Sequence, residues 1–210
     1  MNAAVTRRIE FKLRREGIGL IAGVDEAGIG PLAGPVVAAA VLLKENAKVP
    51  GLDDSKKLTR KKRDELFEYI MGSALSIGIG IMDHGEIDRV NILNASHEAM
   101  AAAVNSLSVR PDYILVDGNK SVPGVDIPQE TVVHGDRLSH AIAAASVIAK
   151  VIRDRIMEHY DGVYPRYLFK KHKGYGTKLH KKLLRKYGPS PIHRWSYGPV
   201  VKAAKLFSLK

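Results

Sequence analysis

The chain has 210 residues, 45% of them apolar, and its 33 Lys and Arg outnumber 22 Asp and Glu for a formal net charge of +11. That is enough apolar chain to bury a full core, as one domain or as one domain with an appendage, which excludes a disordered polymer. Cysteine is absent, so disulfides and thiolate metal sites are excluded and a metal must be held by oxygen or imidazole.

Residues 3–16 predict a short basic helix ahead of the core. This stretch has no apolar run of signal-peptide length, and the longest such run, 36–43, is too short to span a bilayer, so a soluble cytoplasmic protein without membrane contact is expected. Leu20, Ile21 and Val24 predict a buried strand, Gly28, Gly30, Pro31 and Gly34 a tight turn, and 36–43 a second strand closing a hairpin. At the end of the first strand stand two adjacent acids, Asp25 and Glu26. Buried carboxylates lose much hydration unless partnered, so a cation is expected beside them. Neighbouring strand residues face opposite ways, and both acids meet one ligand only if the chain bends, which Gly28 permits. A dinucleotide-binding turn is a poor match, because the acids precede the glycines and Pro35 leads into another strand-like run.

In the polar stretch 51–58, Asp54 or Ser55 is expected to cap a helix over 59–71, while the lysines are equally suited to a phosphate. Residues 74–82 alternate with glycine and predict a closely packed strand. Asp83 then caps one long helix to about residue 107, with Met100, Val104 and Leu107 on one face. Residues 113–116 predict a strand ending on Asp117, and 131–133 another that runs into Gly135 and Asp136. Residues 137–160 predict a helix whose Ala141, Ala143, Ala144, Ala145 and Ser146 allow close approach to a sheet. Strands followed by strands alternating with helices give an α/β layer fold with a mixed sheet.

Charge is unevenly placed. Residues 162–210 hold 13 Lys and Arg and no acid, with 8 of the 13 aromatic residues, whereas the rest of the chain is close to neutral. A single-sign segment laced with aromatics suits a nucleic-acid backbone better than a solvated face, which mixes signs. Asp25, Glu26, Asp117 and Asp136 all fall at expected strand ends, where ligands gather in open sheets. Such an oxygen-only set can hold two Mg²⁺ or Mn²⁺ ions, which activate a water and stabilise the leaving oxygen of a phosphodiester. His172, His180 and His193 match no zinc spacing and are read as phosphate contacts or packing. Asp154 is expected to pair with a neighbouring base, Ser146 to line the site or allow close packing, and Lys56 and Arg194 to contact phosphate.

These stretches resemble the ribonuclease HII (type 2 ribonuclease H) family over almost the whole chain. The resemblance is carried by GVDEAG at 23–28, PLAGPVVAAAV at 31–41, DDSKKLT at 53–59, LVDGN at 115–119, GD at 135–136, IAAASVIAKVIRD at 142–154, HKGYGTKLH at 172–180 and GPSPIHRWSY at 188–197. It implies an RNase H-like α/β fold, with a central mixed five-stranded sheet, helices on both faces and a helical C-terminal extension. A catalytic core over 1–161 and a basic, aromatic segment over 162–210 packed on it are expected, as a monomer. The implied activity is cleavage of the RNA strand of RNA/DNA hybrids and of single ribonucleotides within duplex DNA, 5′ of the ribonucleotide at the junction, leaving 3′-hydroxyl and 5′-phosphate ends. By the same resemblance Asp25, Glu26, Asp117 and Asp136 are the catalytic acids that bind the two ions, and Tyr175 stacks on the deoxyribose next to the ribonucleotide. The turn Gly28-Ile29-Gly30 would sense the 2′-hydroxyl through its backbone, although the family's usual middle residue is arginine. Two rival expectations stay open on the residues alone: another two-metal nuclease or strand-transfer enzyme, and a non-catalytic nucleic-acid binder.

Overall fold

The computed structural model describes residues 5–53, 55 and 57–208. The cap expected at Asp54 and the phosphate contact expected at Lys56 lie outside the described residues. One sheet carries the molecule, in the order β3-β2-β1-β4-β5, built from β1 (Ile21–Ala27), β2 (Val36–Leu43), β3 (Ala74–Met82), β4 (Tyr113–Asp117) and β5 (Gln129–Val132). β1 pairs antiparallel with β2 and β2 with β3, whereas β1 to β4 and β4 to β5 are parallel, so the sheet is mixed as expected. The strand β2, VVAAAVLL, is buried along its whole length, as a central strand covered on both faces must be.

Helices α3 (His84–Val90) and α4 (Ile92–Asn105) cover one face; α2 (Arg60–Ser73) and α6 (His140–Val163) cover the other. Glycines set how close they come. A Cβ on Gly78 or Gly80 would overlap the Ala103 or Ala99 carbonyl of α4, and one on Gly23 would overlap the Ala141 and Ile142 backbone of α6. The small residues of both helices and strands therefore bring helix backbone almost onto sheet backbone. At the flank of the sheet, α1 (Arg8–Arg15) inserts Leu13 into a cluster with Ile21, Leu115 and Ile142. Its buried Glu10 accepts hydrogen bonds from Ser139 Oγ (2.8 Å) and Ala141 N (3.0 Å), satisfying the start of α6. Among the described residues no helix is long and apolar enough to cross a membrane.

Three expectations are corrected. Thr59, not Ser55, caps α2, its hydroxyl accepting from Lys62 N at 3.2 Å. The helix expected from 83 to 107 is two: Asp83 caps α3 as read, but Asn91 takes φ +68°, ends that helix and caps α4 with its side chain. An Asn side chain that bonds the backbone tolerates this conformation and so breaks a helix that apolar periodicity alone would continue. The helix expected from 137 likewise begins as a separate short turn, α5 (Gly135–Leu138), and restarts after Ser139, which caps α6 by accepting from Ile142 N. Asp136 therefore sits in a helical first turn rather than at a strand end.

The C-terminal residues comprise a 3₁₀ turn (Pro165–Tyr167), α7 (Phe169–His172), α8 (Lys178–Tyr187) and α9 (Gly198–Ser208). Their backbone clasps the loop between β1 and β2. Leu32 N donates to Gly174 O (2.8 Å), Gly34 N to Ile192 O (2.9 Å) and Arg194 N to Leu32 O (2.9 Å). On the other side of the clasp Asp88 of α3 accepts from Trp195 N and Ser196 N.

Candidate active site

Val24 of β1 and Val116 of β4 are register partners in a parallel ladder. The next residue on each strand is therefore level with the other and faces the same side, about 4.8 Å apart along the sheet. Those residues are Asp25 and Asp117. Asp25 is buried, hydrogen-bonded by Ser146 and by Glu26 N, which donates to its Oδ1 at 2.7 Å. Burial first, then the charges of Glu26 and Asp117, push its carboxyl well above the ordinary carboxylate range, and the hydrogen bonds from Ser146 and Glu26 N only partly oppose them.

Asp117 ties this strand end to the next acid. Its Oδ1 accepts from Gly135 N at 2.7 Å, immediately before Asp136, which is also buried. His134, at φ +58°, turns the chain from β5 into α5 and so aims that corner back at β4. Glu26 remains within a strand still paired to β2 through Ala27; the bend comes at Gly28, φ +113°, and Glu26 borders the cleft beside Ser146. A Cβ on Gly28 would overlap the Arg153 side chain and Pro35 O, so both conformation and space demand glycine there.

Among the described residues no three carboxylate or imidazole groups form a ready-made metal cage. The donor chemistry nevertheless fits hard divalent cations. The acids supply oxygen only, and among the described residues the charges acting on buried Asp25 are both negative. A divalent cation held by these acids would offset the negative charges that, after burial, raise Asp25.

A cleft of ≈ 270 Å³ is bordered by Glu26, the turn Gly28-Ile29-Gly30, Ser55, Lys150, Tyr175 and Ser146, the last hydrogen-bonded to Asp25. A larger hollow of ≈ 1050 Å³ lies away from the acids, between α1 and the loop after β2. Ser146 does line the cleft, and its hydroxyl lies 2.9 Å from that of Ser55, a residue expected only as a cap. Lys150 pairs with Asp154 at 2.6 Å, as read for Asp154. Tyr175 is 39% exposed, with Lys150 Nζ 5.5 Å and the Arg153 guanidinium 5.6 Å from its ring centre.

The backbone under Tyr175 is held by three buried histidines, which are packing rather than phosphate contacts. Tyr175 O can only accept, so His180 Nδ1 donates to it (3.0 Å). His180 Nε2 then accepts from His193 Nε2 (3.0 Å), and His193 Nδ1 accepts from Ser190 N (2.9 Å). His172 stacks on His180 at 4.2 Å, donates Nε2–H to Tyr167 O and accepts from Gly174 N. Burial first and the neighbouring imidazoles second lower His180 to about 4 and His193 to about 3, so the network is neutral at physiological pH.

Arg194, expected on a phosphate, is 0% exposed and its guanidinium is spent on the β1–β2 loop, so it cannot reach a substrate phosphate directly. Arg153 is equally buried and donates Nε to Pro35 O (2.9 Å) and Nη1 to Lys173 O (3.1 Å). Sequence reading gave Arg153 no role. Its signal was position: it lies on the buried face of α6 between Ala149 and Met157, each four residues away.

The family model described as Ribonuclease HII matches residues 22–200. The chain is 55% identical over 191 residues to a ribonuclease HII of Bacillus licheniformis, covering 91% of this chain and 74% of that one. It is 58% identical over 177 residues to that of Clostridioides difficile, covering 84% and 69%. Among solved structures it is similar to the ribonuclease H2 from Pyrococcus horikoshii, with a TM-score of 0.75 at 27% identity over 91% of this chain and 100% of that one.

Proposed function

The chain belongs to the ribonuclease HII family and is a ribonuclease H, and on that premise we propose that it cuts 5′ of a ribonucleotide, in RNA/DNA hybrids and at single ribonucleotides within duplex DNA. The products carry 3′-hydroxyl and 5′-phosphate ends. The observation that carries this reading is the level placement of Asp25 and Asp117 on parallel strands, with burial first, then Glu26 and Asp117, raising the Asp25 carboxyl.

Asp25, Glu26, Asp117 and Asp136 would hold two Mg²⁺ or Mn²⁺ ions. When bound, the ions supply an activated water and charge stabilisation for the leaving oxygen. The chain's own groups do the rest. Ser146 orients Asp25 through its hydrogen bond, and Asp117 braces the corner that carries Asp136. Tyr175 offers an accessible ring for the sugar next to the ribonucleotide, held in place by the histidine network beneath it. The turn Gly28-Ile29-Gly30 contacts the 2′-hydroxyl, the group that separates RNA from DNA. Residues 162–210 act as the duplex grip, their basic side chains other than the buried Arg194 opposed by no acid of the segment.

One gel tests the assignment. An all-DNA duplex, the same duplex with one ribonucleotide and a continuous hybrid are each incubated with and without chelator, and product ends are mapped. Cleavage of the last two only, abolished by chelator, with a 5′-phosphate on the ribonucleotide fragment, is the expected result. Cutting of the all-DNA duplex would point to a nuclease that ignores ribose.

A further inference from the structure

In a trans peptide the carbonyl of one residue and the N–H of the next point in opposite directions. Arg194 exploits this. Its Nη2 donates to Gly28 O (2.6 Å) and its Nη1 to Ile29 O (2.9 Å), drawing both carbonyls into the protein. Tyr197 OH donates to the same Ile29 O (2.9 Å) and accepts from Arg194 Nη1 (3.0 Å). Arg194 also donates to Gly34 O (3.0 Å) and Pro35 O (3.2 Å), anchoring the far end of the same loop. With those carbonyls turned inward, the N–H groups of Ile29 and Gly30 are turned outward. Among the described residues neither has a protein acceptor. They belong to a turn that borders the cleft, where Ile29 is 44% exposed and a Cβ on Gly30 would just touch the Tyr175 ring at 4.0 Å.

We propose that Arg194 and Tyr197 are positioning residues for ribose discrimination: from beneath the turn they fix the Ile29 and Gly30 N–H groups as a paired donor toward the sugar oxygen of the bound ribonucleotide. This rests on the reading that the chain acts at ribonucleotides. It gives the HRWSY stretch a part in specificity that phosphate contact would not. A phosphate contact contributes equally to every duplex, whereas a paired donor aimed at a hydroxyl separates ribose from deoxyribose.

The test is fluorescence anisotropy, in chelator, of wild type, Tyr197→Phe and Arg194→Lys with a duplex holding one ribonucleotide and with its all-DNA counterpart, alongside thermal melting. Loss of the Tyr197 hydrogen bond should reduce the preference for the ribonucleotide duplex about two- to tenfold, with affinity for the all-DNA duplex unchanged. Arg194→Lys should reduce it at least as far. If Arg194→Lys fails to fold, Tyr197→Phe decides alone. Equal weakening toward both duplexes, or a lowered melting temperature with the preference intact, would overturn the proposal in favour of a purely structural clasp. A wild-type protein with no preference would instead sink the underlying ribonucleotide reading.

Discussion

Asp25 and Asp117 each follow a valine, and those valines, Val24 and Val116, are register partners on parallel strands, so two carboxylates lie level at one sheet end. Burial, with the charges of Glu26 and Asp117 added to it, makes ionising Asp25 in the fold costly. The unfolded chain releases that proton at a lower pH than the folded one, so between the ordinary carboxylate value and the raised one stability falls as pH rises. Asp25→Asn, measured by calorimetry in chelator at neutral pH, should therefore raise the melting temperature while removing activity, by about 2–4 °C for each kcal/mol released. A lower melting temperature would mean that the carboxylate is held by favourable contacts instead.

Ile29 occupies the exposed middle of the turn and lines the same cleft as Tyr175. An arginine there can reach a phosphate of the bound duplex. Ile29→Arg should tighten substrate binding and steepen its salt dependence by about 0.9 in the log–log slope for one added contact. An affinity unchanged across a salt titration would refute this.

The histidine network sets an acid limit. His180 and His193 titrate at about 4 and about 3 when folded, against about 6.5 when unfolded. The unfolded chain thus binds protons that the folded one refuses, and stability is lost as pH falls from about 6.5 toward those values. Because His180 supports Tyr175 O, the C-terminal segment should open first, seen as Trp195 and tyrosine fluorescence changing before far-ultraviolet ellipticity in an acid titration. His193→Asn should shift that transition to lower pH; no shift would place the acid sensitivity elsewhere.

Glu10 lies outside the span matched by the family model, yet it closes the start of α6 through Ser139 and Ala141 N. Glu10→Ala leaves buried donors without an acceptor and should destabilise the protein by about 1–3 kcal/mol. Denaturant unfolding gives the number directly, and a change below about 0.5 kcal/mol would show that α1 is an ornament to the fold.

Most of the sheet was legible because β1, β2 and β4 are short apolar runs and β3 is an apolar run alternating with Gly78 and Gly80, whereas β5, the polar QETV, was expected at 131–133 and spans Gln129–Val132. The helices were less so. The break at Asn91 depends on one side chain bonding its own backbone, and the restart at Ser139 depends on Glu10, some 130 residues earlier in the chain. Asp25, Glu26 and Asp117 could be picked out as acids at strand ends, but which strands lie side by side is a property of topology that periodicity does not contain. Arg194 misled, and Arg153 went unnoticed, for a different reason. Arginine is rarely fully buried, so a surface role is the natural reading; here each is surrounded by carbonyls of a loop too glycine- and proline-rich to satisfy them itself.

On the proposed reading, cleavage and duplex binding are separable functions of the carboxylate end of the sheet and of the basic C-terminal segment. Asp117→Asn separates the two, with cleavage of a single-ribonucleotide duplex and its binding measured in parallel on folded protein. Cleavage should fall by several orders of magnitude while binding stays within a few-fold of wild type. Cleavage retained in that variant would contradict that reading.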